Sequence, residues 1–315
     1  MPVVFRAKHA STSHQCTISP PRHTFRTKST HARFESAVHK PVPPPFLRLQ
    51  RFPGNFGHSG IRRRALCIGI NYYKQELELG GCVNDAKNIS RLLIEHYHYT
   101  PDAIILLVDD SLDPRFQPTM ANIQGWMRWL VDGAQPNDLL FFSYSGHGDQ
   151  QADVDGDEAD GWDEAIVPVD HKQYGIIIDD DMHEVLVKSL PCGCRLTAVV
   201  DSCYSGSVLD LPYLYCCDGP EECEVTASFI TRKTAYADVI LWSSCKDSQV
   251  CADTYVEGIA VSAMSNAFIT CLSRNPDVTC GELLHALREI VRPYDGQKPQ
   301  LSSSHPIDIN VKFVM

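Results

Sequence analysis

Five apolar runs of strand length dominate this chain: Ala65 to Ile70, Ala103 to Val108, Leu139 to Ser143, Leu196 to Val200 and Val239 to Ser243. They are continuous rather than alternating, which marks strands buried on both faces. Segments of helical period separate them. Asn84 and Asp85 can cap a helix whose apolar face carries Ile89, Leu92, Leu93 and His96 or Tyr97. Thr119 can cap another that carries Met120, Ile123, Trp126, Met127 and Leu130. A short β excursion at Ala165 to Val169 and Tyr174 to Ile178 precedes a helix from Met182 to Ser189. Gly258 to Leu272 and Gly281 to Val291 read as helices, and Ile309 to Val314 as the last strand. Strands alternating with helices predict an α/β fold, a mostly parallel six-stranded sheet flanked by helices on both faces.

Charge divides the chain. Residues 1–64 hold 12 Lys and Arg against one acid, Glu35, whereas the remainder holds 16 against 38. Residues 1–60, rich in Ser, Thr, His, Pro and Arg, read as a disordered basic pro-segment. An Arg-rich, acid-poor start also fits a mitochondrial transit peptide, but no clean amphipathic helix is visible. Residues 61–315 read as the folded domain: a large part to about 210, a linker over 211–237 and a small part from 238. The acidic body argues against nucleic-acid binding and suits a cationic substrate or a metal cation. No run of 18 apolar residues exists, which argues against a membrane span.

The 13 Cys, with no apolar signal segment ahead of them, do not read as a disulfide scaffold. Cys67, Cys245 and Cys271 sit in apolar stretches and read as core thiols. Cys192 and Cys194 are spaced too tightly for a zinc knuckle, and Cys216, Cys217 and Cys223 lack a clear fourth ligand.

Two short segments carry chemistry. SYSGHG (143–148) and DSCYSG (201–206) each follow a predicted strand and break at Gly. His147 and Cys203 therefore sit just past the carboxyl ends of two strands, the edge where open α/β sheets build sites. A thiol needs a base to become a strong nucleophile at neutral pH, and a facing imidazole supplies one. The pair reads as a Cys-His hydrolase. The stretch Asp149 to Asp181 holds 12 carboxylates. Asp153, Asp155 and Asp157 alternate as in a calcium loop, but the Gly and Glu offsets of an EF-hand are missing.

In order along the chain stand RALCIGIN (64–71), GCVNDA (81–86), SYSGHG (143–148), DGWDEA (160–165), DDDMH (179–183), DSCYSG (201–206), SCKDSQ (244–249) and QKPQLSSSHP (297–306). Together these segments resemble type I metacaspases over about residues 61–315. The resemblance implies the caspase-haemoglobinase fold and an endopeptidase that cuts after Arg or Lys and is activated by calcium. It implies Cys203 as nucleophile and His147 as base, with the backbone N–H groups of Gly148 and Cys203 as oxyanion donors. Asp85, Ser145 and Asp201 would surround the P1 side chain, and two acids there would reject an acidic P1. Calcium would be held by Asp163, Asp179, Asp180 and Asp210, oxygen ligands from separate segments as a hard cation takes them. No organic cofactor is implied.

Arg232 and Lys233, on a linker expected to be exposed, are the expected self-cleavage target of a zymogen. That linker is shorter than in many fungal relatives. The resemblance further implies protein substrates, a monomer, a cytoplasmic or nuclear location and links to programmed cell death or protein quality control. A non-proteolytic scaffold or chaperone-like regulator on the same fold is the competing expectation; the intact Cys203–His147 pair speaks against it.

Overall fold

The computed structural model describes residues 60–154, 156, 158, 161–215, 233, 235–244, 253–256, 259–294 and 297–315. The pro-segment expected over residues 1–60 thus lies outside the described residues but for Gly60, as do Asp155, Asp157, Arg232, Cys245 and the Cys216–Cys223 group.

The apolar runs form five parallel strands: β1 (Arg63–Gly69), β2 (Ile104–Val108), β3 (Leu139–Ser145), β7 (Arg195–Asp201) and β9 (Asp238–Ser243). Between β3 and β7 lie β4 (Gly148–Ala152), β5 (Trp162–Ile166) and β6 (Ile177–Ile178), a separate antiparallel sheet. Two further strands extend the main sheet beyond β9. These are β12 (Gln300–Ser303), antiparallel to β9, and β8 (Tyr213–Tyr215), antiparallel to β12. Among the described residues the main sheet has seven strands, in the order β2-β1-β3-β7-β9-β12-β8. The six-strand expectation fails in two places. Ile309 to Val314 does not enter the sheet; it makes one isolated bridge, Thr279 with Lys312, and buries Phe313 in the core. The sixth place is taken by Gln300 to Ser303, whose glutamine and two serines gave no strand signal.

Helices cover both faces. On one side lie α1 (Cys82–Tyr97), α5 (Ala263–Arg274) and α6 (Cys280–Val291), around a core that includes Trp242, Phe268 and Phe313. The other side has α2 (Met120–Val131) and the π-helical turn Glu184–Lys188, around Phe142, Trp126 and Leu186. Two short helices, α3 (His171–Tyr174) and α4 (Asp179–His183), flank β6.

Thr119 caps α2 as expected, accepting from the Asn122 N–H at 3.3 Å. Asp85 does not cap α1. The helix starts at Cys82 behind Gly81 with no side-chain cap, and Asp85 is buried within its first turn. The helix expected from Gly258 begins only at Ala263, because Ile259–Ser262 form a strand, β11, paired with β10 (Asp253–Val256). Among the described residues no helix is long and apolar enough to cross a membrane.

Candidate active site

Strands β3 and β7 are neighbours in register, Ser145 opposite Asp201, so the segments that follow them emerge side by side. His147 comes two residues after β3 ends and Cys203 two residues after β7. Tyr204 then turns the chain with φ of +53°, a conformation rare for a bulky residue and typical of strained functional turns. The two segments touch. A Cβ built on Gly148 would lie 1.8 Å from the Cys203 carbonyl oxygen, so no residue with a side chain fits there.

His147 is fixed from three sides. Its Nε2 lies 2.7 Å from the Leu77 carbonyl oxygen. A carbonyl only accepts, so Nε2 carries the hydrogen and Nδ1 is left to exchange a proton. The Tyr72 ring sits 4.6 Å from the imidazole. The Tyr72 hydroxyl accepts from the His147 N–H at 3.0 Å, and the Tyr144 hydroxyl donates to the His147 carbonyl at 2.6 Å. Beside the imidazole opens a cleft of about 370 Å³ lined by Tyr72, Leu77, His147 and Gly148 among others.

Asp85, Ser145 and Asp201 converge below this edge, all buried. The Ser145 hydroxyl donates to Asp85 Oδ2 at 2.9 Å. Ser262 donates to the same carboxylate through its N–H at 3.1 Å and its hydroxyl at 2.6 Å. Ser265 does likewise for Asp201, at 2.8 and 2.7 Å. Burial, reinforced by the charge of Asp201, pushes the Asp85 carboxyl up to about 7, and the serine donors pull it partly back.

A second acidic cluster stands where the chain continues past Cys203. Carboxylate oxygens of Glu158, Asp179 and Asp210 lie within 4.8 Å of one another. Burial pushes all three carboxyls up; the charge of Asp210 adds to this on Glu158 and Asp179, whereas the Lys233 ammonium pulls Asp210 partly back. Asp153 places Glu158, accepting from its N–H at 3.0 Å and from that of Gly156 at 2.7 Å. Buried carboxylates this close are costly without a cation, and oxygen ligands from separate segments suit a hard divalent ion. These residues fit such an ion. Two of the four expected ligands, Asp179 and Asp210, are in the group. The third member of the group is Glu158; the expected Asp163, buried on β5, is not among the three.

Asp180 joins through Lys233. The Lys233 ammonium donates to Asp180 Oδ1 at 2.7 Å and to Asp210 Oδ2 at 2.8 Å. Lys233 was expected on an exposed loop; it is buried instead, its side chain 4% exposed, because these two carboxylates pair its charge.

Comparison with known proteins sets this arrangement in a family. Residues 63–212 match the family described as "Metacaspase, peptidase C14 domain". Metacaspase-1A of Aspergillus terreus is 41% identical over 333 residues, covering 90% of this chain and 83% of that protein. This chain belongs to the metacaspase family. Metacaspase-1 of Cryptococcus neoformans var. neoformans serotype D is 46% identical over 295 residues, covering 80% of this chain and 65% of the relative. Metacaspase-1A of Neurospora crassa is 46% identical over 302 residues, covering 82% and 66%. The matched region thus spans just under two thirds of these last two relatives. A solved Geobacter sulfurreducens protein, GSU0716, superposes with a TM-score of 0.55 at 21% identity, covering 80% of this chain and 97% of that one, a likeness of fold.

The sequence reading of this metacaspase missed Leu77, Tyr72, Ser262, Ser265 and Glu158. Leu77 acts through its carbonyl, which every residue type offers. The two serines come from β11 and α5, far along the chain from the acids they serve. Glu158 was visible only as one acid among many.

Proposed function

We propose that this metacaspase is a calcium-activated cysteine endopeptidase that cuts after Arg or Lys, made as a self-processing zymogen. The contact of Gly148 with the Cys203 carbonyl at the ends of adjacent parallel strands carries the reading. Nδ1 of His147 takes the Cys203 thiol proton, and the thiolate attacks the scissile carbonyl carbon. The backbone N–H groups of Gly148 and Cys203 receive the oxyanion, and such a donor is worth roughly 10²–10³ in rate. The imidazolium returns its proton to the leaving amine, and a water then hydrolyses the thioester.

Asp85 and Asp201 set specificity. They are buried acids with neutral serine donors, so a guanidinium or ammonium entering between them finds opposite charge. An aspartate there would bury like charges together. Glu158, Asp179 and Asp210, with Asp180 alongside, would hold calcium. Bound there, the ion supplies charge that fixes the segment from Cys203 to Asp210. The programmed-death or quality-control role of relatives is the setting we assign.

Hydrolysis of matched fluorogenic peptides ending in Arg, Lys or Asp, with calcium and with chelator, tests this. The expected result is calcium-dependent cleavage after Arg and Lys, lost in Cys203→Ala. Cleavage after Asp would refute the pocket; activity in chelator would refute the trigger. No cleavage by folded, calcium-loaded protein would favour a scaffold.

A further inference from the structure

Of residues 216–234 the structure describes Lys233, and it is anchored at an acid cluster separate from the P1 pocket. A lysine is almost never fully buried unless its charge is paired. Here the pairing is double, Asp180 at 2.7 Å and Asp210 at 2.8 Å, with the side chain 4% exposed. Asp210 also belongs to the group with Glu158 and Asp179. One carboxylate is therefore shared between an ammonium already present and the divalent ion assigned to the cluster.

We propose that Lys233 is the resident counter-cation of this cluster, and that a divalent ion binding Asp179 and Asp210 expels its ammonium and makes Lys233 available for cleavage. The inference rests on the calcium reading above and adds its coupling to processing. Charge decides the competition. An ammonium and a dication sharing one carboxylate stand close enough to repel strongly in a medium poorer in water than the surface. The dication accepts several oxygens at once, whereas the ammonium offers three hydrogens and one charge. A basic residue is cut only when its side chain enters the pocket of Asp85 and Asp201. Held on Asp180 and Asp210, Lys233 cannot enter it, so the calcium-free cluster keeps this bond intact. Once Lys233 is free, the amide bond on its carboxyl side breaks through the Cys203 thioester. Water then supplies hydroxyl to the Lys233 carbonyl, and the thiol proton leaves on the new amine.

The coupling is read by binding, apart from activity. Calorimetric titration of calcium into full-length Cys203→Ala, alone and combined with Lys233→Met or Lys233→Arg, compares affinities. Lys233→Met should bind calcium about tenfold more tightly than the parent, and Lys233→Arg, which keeps the charge, should stay near it. Equal affinities in all three would overturn the competition. Acetylation of the Cys203→Ala chain, mapped by mass spectrometry, serves if Lys233→Met fails to fold. Lys233 should be protected in chelator and modified in calcium, while the exposed Lys172 is modified in both. Unchanged protection of Lys233 in a calcium-saturated chain would overturn the release. No calcium binding by any chain would bring down the calcium reading, and this inference with it.

Discussion

The hydroxyl of Tyr72 lies 3.1 Å from that of Tyr144, and between them the two phenols hold both polar groups of the His147 peptide. Tyr72 reaches this place with φ of +55°, and its hydroxyl donates to the Val167 carbonyl at 2.6 Å. Gly146 leaves room for the pair; a Cβ there would meet the Tyr144 oxygen at 2.7 Å. The His147 imidazole is thus aimed from its own backbone.

Tyr72→Phe keeps the ring beside the imidazole and strips the acceptor from the His147 N–H. An unpaired polar group costs about 1–3 kcal/mol, and misplacing a catalytic group is costly in rate. We expect kcat to fall about tenfold with KM within about twofold, and the acidic limb of the pH–rate profile to move. A lowered melting temperature with kcat and the profile unchanged would mean that Tyr72 serves folding alone.

Gly148→Ala drives a methyl group into the Cys203 carbonyl, 1.8 Å from the ideal Cβ. Activity should drop at least about 100-fold, since both the proposed oxyanion donors move. Gly125 is the contrast. It lies inside α2 with nothing within 4 Å of its Cβ, so Gly125→Ala should leave activity intact and stabilise by about 0.5–1 kcal/mol. Peptidase assays and denaturant melts on the two variants check this.

Much of this arrangement is legible in the sequence, because it follows from strand ends. Continuous apolar runs identify β1, β2, β3, β7 and β9, and the Gly breaks after β3 and β7 point to His147 and Cys203. What escapes the sequence is set by contacts between distant segments. Gln300 to Ser303 becomes a strand because β9 offers it an edge, not through its own propensity. Asp85 looks like a cap until Ser145 and Ser262 are seen around its carboxylate. Lys233 looks like any linker cation until Asp180 and Asp210 are found on either side.

The Asp85 carboxyl, pushed up to about 7 by burial and by Asp201, keeps its proton in the fold over a range where the unfolded chain has lost it near pH 4. Between about pH 4 and 7 the folded state therefore binds more protons. The contribution of Asp85 to stability declines as pH rises through that window and levels off above it. Asp85→Asn should flatten this part of the melting-temperature profile. A cation in the pocket favours the ionised form, so inhibition by benzamidine should strengthen as pH rises through 7 in the parent and not in Asp85→Asn. A pH-independent inhibition constant in the parent would place the amidine elsewhere.

Calcium should raise the melting temperature of the Cys203→Ala chain. At a hundred times the dissociation constant the gain is about 2.7 kcal/mol, or about 5–10 °C for a domain of this size. Asp179→Asn and Asp210→Asn should each abolish most of the shift, and magnesium, with its stricter octahedral demand, should give less of it. A calcium shift unchanged in both variants would put the ion at another site.

The most direct test of the whole account is covalent trapping. Full-length protein in calcium is treated with a peptidyl-arginine chloromethyl ketone, and the adduct is located by mass spectrometry. The account predicts one adduct, on Cys203, absent in chelator, lost in His147→Ala and not formed by the matching aspartyl reagent. An adduct on another cysteine, or equal labelling by the aspartyl reagent, would contradict it.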